Sequence, residues 1–411
     1  MNQLTPGIRV DVEIPAHRMR KPASVPPHGI AVFRLGFRIF FLLGATSAIA
    51  LVLAWIGVYA FGFSFPNRFD LIQWHAHEML FGFATAIIAG FLLTAPGNWT
   101  RRPMPAGGKL AVLAALWLAG RIALFFPAYL PGWIIMLVDV AFLPALGLTV
   151  FLTLRGLPLQ RPNMVFPTVL LGMTAANVLA HLGIRNRLGV AVGTELMLYL
   201  VLMMIVLMGG RVIPGFTIGQ FPEGTTRVRP AVDKLAIGSL LALIPADLLA
   251  APYQLIAGLC LAAGITHAIR LADWNTRELW RVPLLWILHI GYGWLVIGMF
   301  LKAGGLLGVV PPLIFRHALT AGAIGVVVLG MISRVALGHT GRALKPPPLI
   351  TAAFVLVNLA VILRVAFPWF APQNYLLWLI LSASAWIVAF SLYLVEYTQM
   401  LCAPRADGRP G

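Results

Sequence analysis

The sequence predicts an all-α fold: a polytopic integral membrane helix bundle of about twelve transmembrane helices with both termini cytoplasmic. Three observations carry that prediction. Of 411 residues, 60% are hydrophobic and only 10% charged, and the mean hydropathy is +0.89, far outside the range of soluble domains. The apolar residues fall into long runs cut by Pro, Gly and charge, and a helical span needs ~20 of them. Lys and Arg alternate in density between successive connections, as the positive-inside rule requires of a multi-pass chain.

In order, the runs cover residues 34–61, 74–96, 109–127, 132–154, 163–184, 189–213, 233–249, 252–270, 283–303, 311–336, 347–367 and 374–401. Runs seven and eight are short and joined tightly through Ala250, Ala251 and Pro252. The longest connection, Pro214 to Ala231, is rich in Gly, Pro and Thr and divides the spanning region, 33–403, into two six-helix halves. The tail at 1–32 is polar, basic and proline-rich, without the apolar core of a signal peptide, and reads as cytoplasmic. A short tail, 404–411, follows the last run.

The net charge of +17 reflects scarce acids as much as abundant bases. The tail and even-numbered connections hold Arg9, Arg18, Arg20, Lys21, Arg101, Arg102, Lys109, Arg155, Arg161, Arg211 and their successors up to Lys345. Odd connections hold few bases, chiefly Arg68, Arg185, Arg187, Lys302 and Arg364. Bases spread along one membrane face argue against a nucleic-acid partner; the lipid bilayer is the partner they imply. Two cysteines, Cys260 and Cys402, give neither a disulfide framework nor a thiolate metal site. No Cys-x-x-Cys-His motif is present for covalent haem, so any metal depends on His, carboxylate or Met.

Seven histidines fall at two depths. His75, His77, His181 and His317 lie towards the expected outer face with Glu78 and Glu195, while His267, His289 and His339 lie towards the inner one. For each alone, the simpler alternative is an imidazole bonded to a backbone carbonyl. Together they suit metal, because imidazole is the usual ligand for haem iron and copper. Neighbouring spans eight and nine would present His267 and His289 to opposite faces of one haem, held without covalent attachment as in b-type cytochromes. An outer metal site would draw on His75, His77, His181, His317 and a carboxylate.

The densest stretch is Trp74 to Phe83, Trp-His-Ala-His-Glu-Met-Leu-Phe-Gly-Phe. On a helix, His75, Glu78 and Met79 share one face, continued by Gly82, Ala86 and Gly90, and His77 points nearly the opposite way. If the chain enters extended, His75 and His77 face one side and grip a single metal. The residues leave both geometries open. Arg121 and Asp139 read as a mutual ion pair, with Arg121 against a haem propionate as the alternative. Asn177, one turn before His181, is placed to orient that imidazole; Met203, Met204 and Met208 read as core.

Phe33 to Phe41 (Phe-Arg-Leu-Gly-Phe-Arg-Ile-Phe-Phe), Trp74 to Phe83, Gly90 to Pro103, Leu116 to Arg121 and Ser333 to Arg342, which ends Gly-His-Thr-Gly-Arg, resemble the NnrS family over nearly the whole chain. Ile39 departs from the proline expected in the first of these motifs. The resemblance implies a bacterial inner-membrane protein containing haem and copper, linked to nitric oxide, denitrification and nitrosative stress. It carries over to His75, His77, Glu78, Arg38, Arg121, His339 and Arg342 as motif members, the last four as cofactor-binding candidates.

The leading expectation is a nitric oxide-binding protein that reduces its ligand to nitrous oxide at the outer site, with Glu78 or Glu195 delivering protons. Electrons would come from quinol or a docking redox protein. The rival classes are a haem protein that senses or buffers nitric oxide without turnover, and a transporter or metal-insertion factor.

Overall fold

The structure is a computed structural model that describes residues 30–64, 68–185 and 187–409, without the side chains of 185–189. Most of the tail, including Arg9, His17, Arg18, Arg20, Lys21 and His28, lies outside the described residues, as do the side chains of Arg185 and Arg187. Among the described residues the chain is helical throughout, without strands. Twelve long helices follow in order: α1 Gly36–Phe61, α2 Leu71–Thr100, α3 Gly108–Phe125, α4 Gly132–Leu154, α5 Pro158–Leu182, α6 Arg187–Gln220, α7 Pro230–Leu248, α8 Tyr253–Trp274, α9 Pro283–Leu306, α10 Ile314–His339, α11 Pro348–Phe370 and α12 Pro372–Cys402. Eleven of them are long and apolar enough to cross a membrane.

The remaining one, α7, carries Asp233, Lys234 and Asp247 within 19 residues. Its acids are neutralised by neighbours: Arg270 of α8 meets Asp233 at 2.6 Å, and Lys302 of α9 bonds Asp247. Charged groups in a membrane helix are tolerated when paired towards the bundle. The connection before α7 is shorter than the sequence suggested. Pro214 lies inside α6, which runs on to Gln220; in a packed membrane helix the carbonyl freed by proline is accommodated locally, so the residue does not end the helix.

α2 and α10 are the most enclosed, with 78% and 83% of their apolar cores buried against the other helices. Both widen to i→i+5 bonding just beyond a histidine, over Glu78–Ala84 after His77 and over Ala318–Val326 after His317. Such π segments are rare and concentrate at functional sites. Around them the bundle closes on itself, because α1 packs against α12. The Ala31 N–H donates to Cys402 O at 2.8 Å, and the indole of Trp386 to Ala48 O at 3.0 Å.

Two of the stretches quoted above end helices: the first serves this closure and the second stops α10. Arg38 is fully buried and donates to Leu401 O at 2.8 Å and Ala403 O at 2.7 Å, so its guanidinium satisfies the orphan carbonyls that end α12. In Gly-His-Thr-Gly-Arg, Gly341 adopts φ +73°, and the Arg342 N–H reaches back to Leu337 O at 2.9 Å. That six-to-one bond with a left-handed glycine is a Schellman stop for α10.

Candidate metal centre and adjoining cavity

The geometry of the Trp74 to Phe83 stretch is decided by its entry. Asp70 caps α2, its Oδ1 accepting from the Gln73 N–H at 2.8 Å, so residues 71–77 are helical and the extended alternative is not adopted. Residues two apart on a helix lie ~200° apart. His75 and His77 therefore serve different neighbourhoods. The wider turn that begins at Glu78 also breaks the expected face: Met79 stays beside His75, whereas Glu78 turns to His77 and Arg121.

His77 is sandwiched between Phe69 and Phe81, centroids 4.9 and 4.6 Å away, and both its nitrogens face oxygen. Nδ1 lies 3.3 Å from Glu78 Oε1; Nε2 lies 3.1 Å from Asn177 Oδ1 and 3.3 Å from Asp139 Oδ2. His181 Nε2 approaches the same Asp139 oxygen at 3.0 Å, and the Asn177 amide donates to it at 2.9 Å. Arg121 closes the cluster from α3 by bonding both Glu78 and Asp139. It lies directly over Gly82, where a Cβ would sit 3.0 Å from its Nη1. The missing side chain is what lets the guanidinium reach both acids.

One atom each from His77, Asp139 and His181 lies within 4.8 Å of the other two, all buried. Donors bound at 2.0–2.1 Å around a tetrahedral ion stand ~3.4 Å apart, close to the spacing here. Charge points the same way. In direct contact two carboxylates share one guanidinium, with Arg68 the next cation, on the His181 side. Direct pairing thus leaves one acid without a cation of its own, a place for a proton or a metal ion. Glu78 Oε2 and His181 Nδ1 are buried without a hydrogen-bond partner.

On the other side of α2, His75 stacks on Trp55 at 4.5 Å and opens onto a cavity of about 210 Å³. His317, Arg316, Glu195 and Arg364 line the same space. His75 Nδ1 is buried without a partner. Glu195 sits at the rim, 3.2 Å from Lys302 Nζ and 3.8 Å from Arg316. Lys302 is itself buried and also bonds Tyr199 at 2.8 Å.

The inner histidines do not converge in this way. His267 Nδ1 meets the Tyr292 hydroxyl at 2.6 Å, and that oxygen accepts from Arg270 at 2.9 Å; His267 Nε2 has no partner. His289 faces Leu285 O at 3.0 Å and Trp274 O at 3.4 Å with its two nitrogens. The pair thus offers one open imidazole, not two. His339 packs on Phe37 at 5.5 Å beside the Arg38 closure, and the Arg342 guanidinium lies 3.5 Å from Thr340 O.

Sequence reasoning did not enrol Asp139, Arg316 or Arg364. Asp139 carried a usable signal, an acid in the middle of an apolar run. The arginines sit at helix ends, where anchoring at the interface is the common role.

The NnrS family model, described as NnrS protein, matches residues 31–405. No curated protein matches the chain.

Proposed function

Because the chain belongs to the NnrS family, whose members are membrane proteins linked to nitric oxide, we propose that it binds nitric oxide at metal held in the two sites flanking α2 and reduces it to nitrous oxide. One observation carries this reading. A compact set of His77, Asp139 and His181 donors, short of positive charge, stands back to back with a cavity lined by His75 and His317.

The donor chemistry fits both groups. Copper suits the imidazole and carboxylate set, and Glu78 on Nδ1 is the outer partner that would leave His77 Nε2 free to bind it. The side chains beside the cavity have the chemistry for haem, His75 with an unpaired buried nitrogen and Arg316 and Arg364 as partners for two propionates. Its volume of about 210 Å³ is too small for a porphyrin when ~150 Å³ holds a benzene, so a haem there would require the surrounding helices to part. The inner pair suits a bis-histidine haem less well, since His289 faces carbonyls on both sides. When bound, these groups supply one-electron chemistry and a gas-binding iron.

The protein's residues do the rest. Arg121 holds Glu78 and Asp139 in place, and Phe69 and Phe81 fix the His77 ring. Reduction of two nitric oxide molecules to nitrous oxide and water consumes two electrons and two protons. Glu195, partly exposed at the rim, is the group placed to pass protons into the cavity. Electrons come from quinol or a docking redox protein, and the setting is a bacterial inner membrane.

The test is anaerobic assay of purified, haem- and copper-replete protein with a chemical reductant. Turnover gives nitrous oxide well beyond one equivalent per protein; binding without product identifies a sensor or buffer. Full metal content in both His77→Ala and His181→Ala rejects the copper site.

A further inference from the structure

A second cavity, of about 100 Å³, lies on the inner side of the one described and shares Ile324 as a common wall. It is lined by α1, α2, α6 and α10, with Ala84, Met204, Met208, Val327 and Met331 among its residues, and no titratable side chain borders it. Its lining follows these helices from mid-length towards one end, from Val201 to Ile213 of α6 and from Ile324 to Val335 of α10. Both π segments contribute: Phe83 faces the first cavity and Ala84 the second, and Ile324 faces both.

Chemistry limits what can occupy it. An apolar cavity of this size stays dry, because water there lacks the two to four polar partners it needs. An engineered cavity of ~150 Å³ just admits benzene, so about 100 Å³ excludes a quinone ring and leaves room for an atom or diatomic molecule. The first cavity, by contrast, is bordered by Glu195, Arg316 and Arg364 towards its outer end, a wet and charged approach. Two approaches of opposite polarity thus meet at Ile324.

We propose that the inner cavity is the entry route for a neutral diatomic gas, which partitions from the bilayer hydrocarbon into the dry space and passes Ile324 to reach the His75 and His317 cavity. This rests on the nitric oxide reading above. Ile88, Phe91, Met208 and Met331 in its wall are themselves half-buried, so the space opens onto the side of the bundle, and Met204, Met208 and Met331 are flexible enough to let a small molecule through. Protons and charge are left to the polar approach.

Xenon tests the cavity without turnover. Crystals of the wild-type protein under xenon pressure are expected to show density between Met208, Met331 and Ile324. Met204→Trp and Met331→Trp, which line the inner cavity and not the one bordered by His75 and His317, are expected to retain wild-type haem and copper content while slowing nitric oxide binding in stopped flow by about one decade. Empty density under xenon overturns the route. So does wild-type binding speed in either variant at full metal content. Those results leave the functional reading standing, whereas metal-replete wild-type protein that binds no nitric oxide overturns both.

Discussion

Two buried arginines mark opposite ends of the bundle, and they differ in what they leave unbalanced. Arg121 lies over Gly82 and bonds two acids, Glu78 and Asp139; Arg270 lies over Gly210 and bonds one, Asp233, at 2.6 Å. A histidine stands beside each. Next to Arg270 the Tyr292 hydroxyl bridges to His267, and the charges cancel. Next to Arg121 two imidazoles converge on a surplus negative charge. Counting charges and partners therefore separates a structural ion pair from a cation site, although both read alike as Arg and His in apolar helices.

The largest test of this contrast is removal of the shared acid. Asp139 is buried, and Asp139→Ala leaves Arg121 its bond to Glu78 but removes the acceptor shared by Arg121, His181 and the Asn177 amide, three buried donors worth about 1–3 kcal/mol each. Asp233, a quarter exposed, should cost less when changed to Ala, about 1–3 kcal/mol. Thermal unfolding in detergent measures both, and equal losses would erase the distinction.

Smaller effects should come from the glycines beneath the arginines. A Cβ at Gly82 or Gly210 meets the guanidinium above it, so Gly82→Ala and Gly210→Ala should each cost about 1–3 kcal/mol through overpacking. Only the first should lower copper content. Loss of copper in Gly210→Ala would show that the two ends are not independent.

The mildest variant for the fold sharpens the contrast most. Glu78→Gln keeps the shape but removes the charged partner of His77 Nδ1, and should weaken metal affinity about 10–100-fold. Tyr292→Phe, the matching change beside His267, should leave it unaltered. Titration with a competing chelator gives both values.

The helices were legible because hydrophobic runs and charge alternation report directly on span number. Histidine depth followed from the same pattern. Which way each histidine points was harder to read, although a signal was present: Asp70 followed by Gln73 is a helix-start pattern, and it rules out the extended entry. The turn at Glu78 was not legible, since a π segment depends on packing around the helix rather than on local propensity. Arg38 shows the reverse problem. Its motif drew it into the cofactor set, yet its hydrogen bonds go to the carbonyls that end α12.

That closure sets a timetable for biogenesis. The indole of Trp386 bonds a carbonyl 338 residues earlier, and synthesis proceeds at roughly 5–20 residues per second. α1 must therefore wait tens of seconds in the lipid for its partner, leaving a seam in the nascent assembly until α12 has been made. Chains halted before α12 would keep that seam open, and quality-control proteases would meet them as unsealed intermediates.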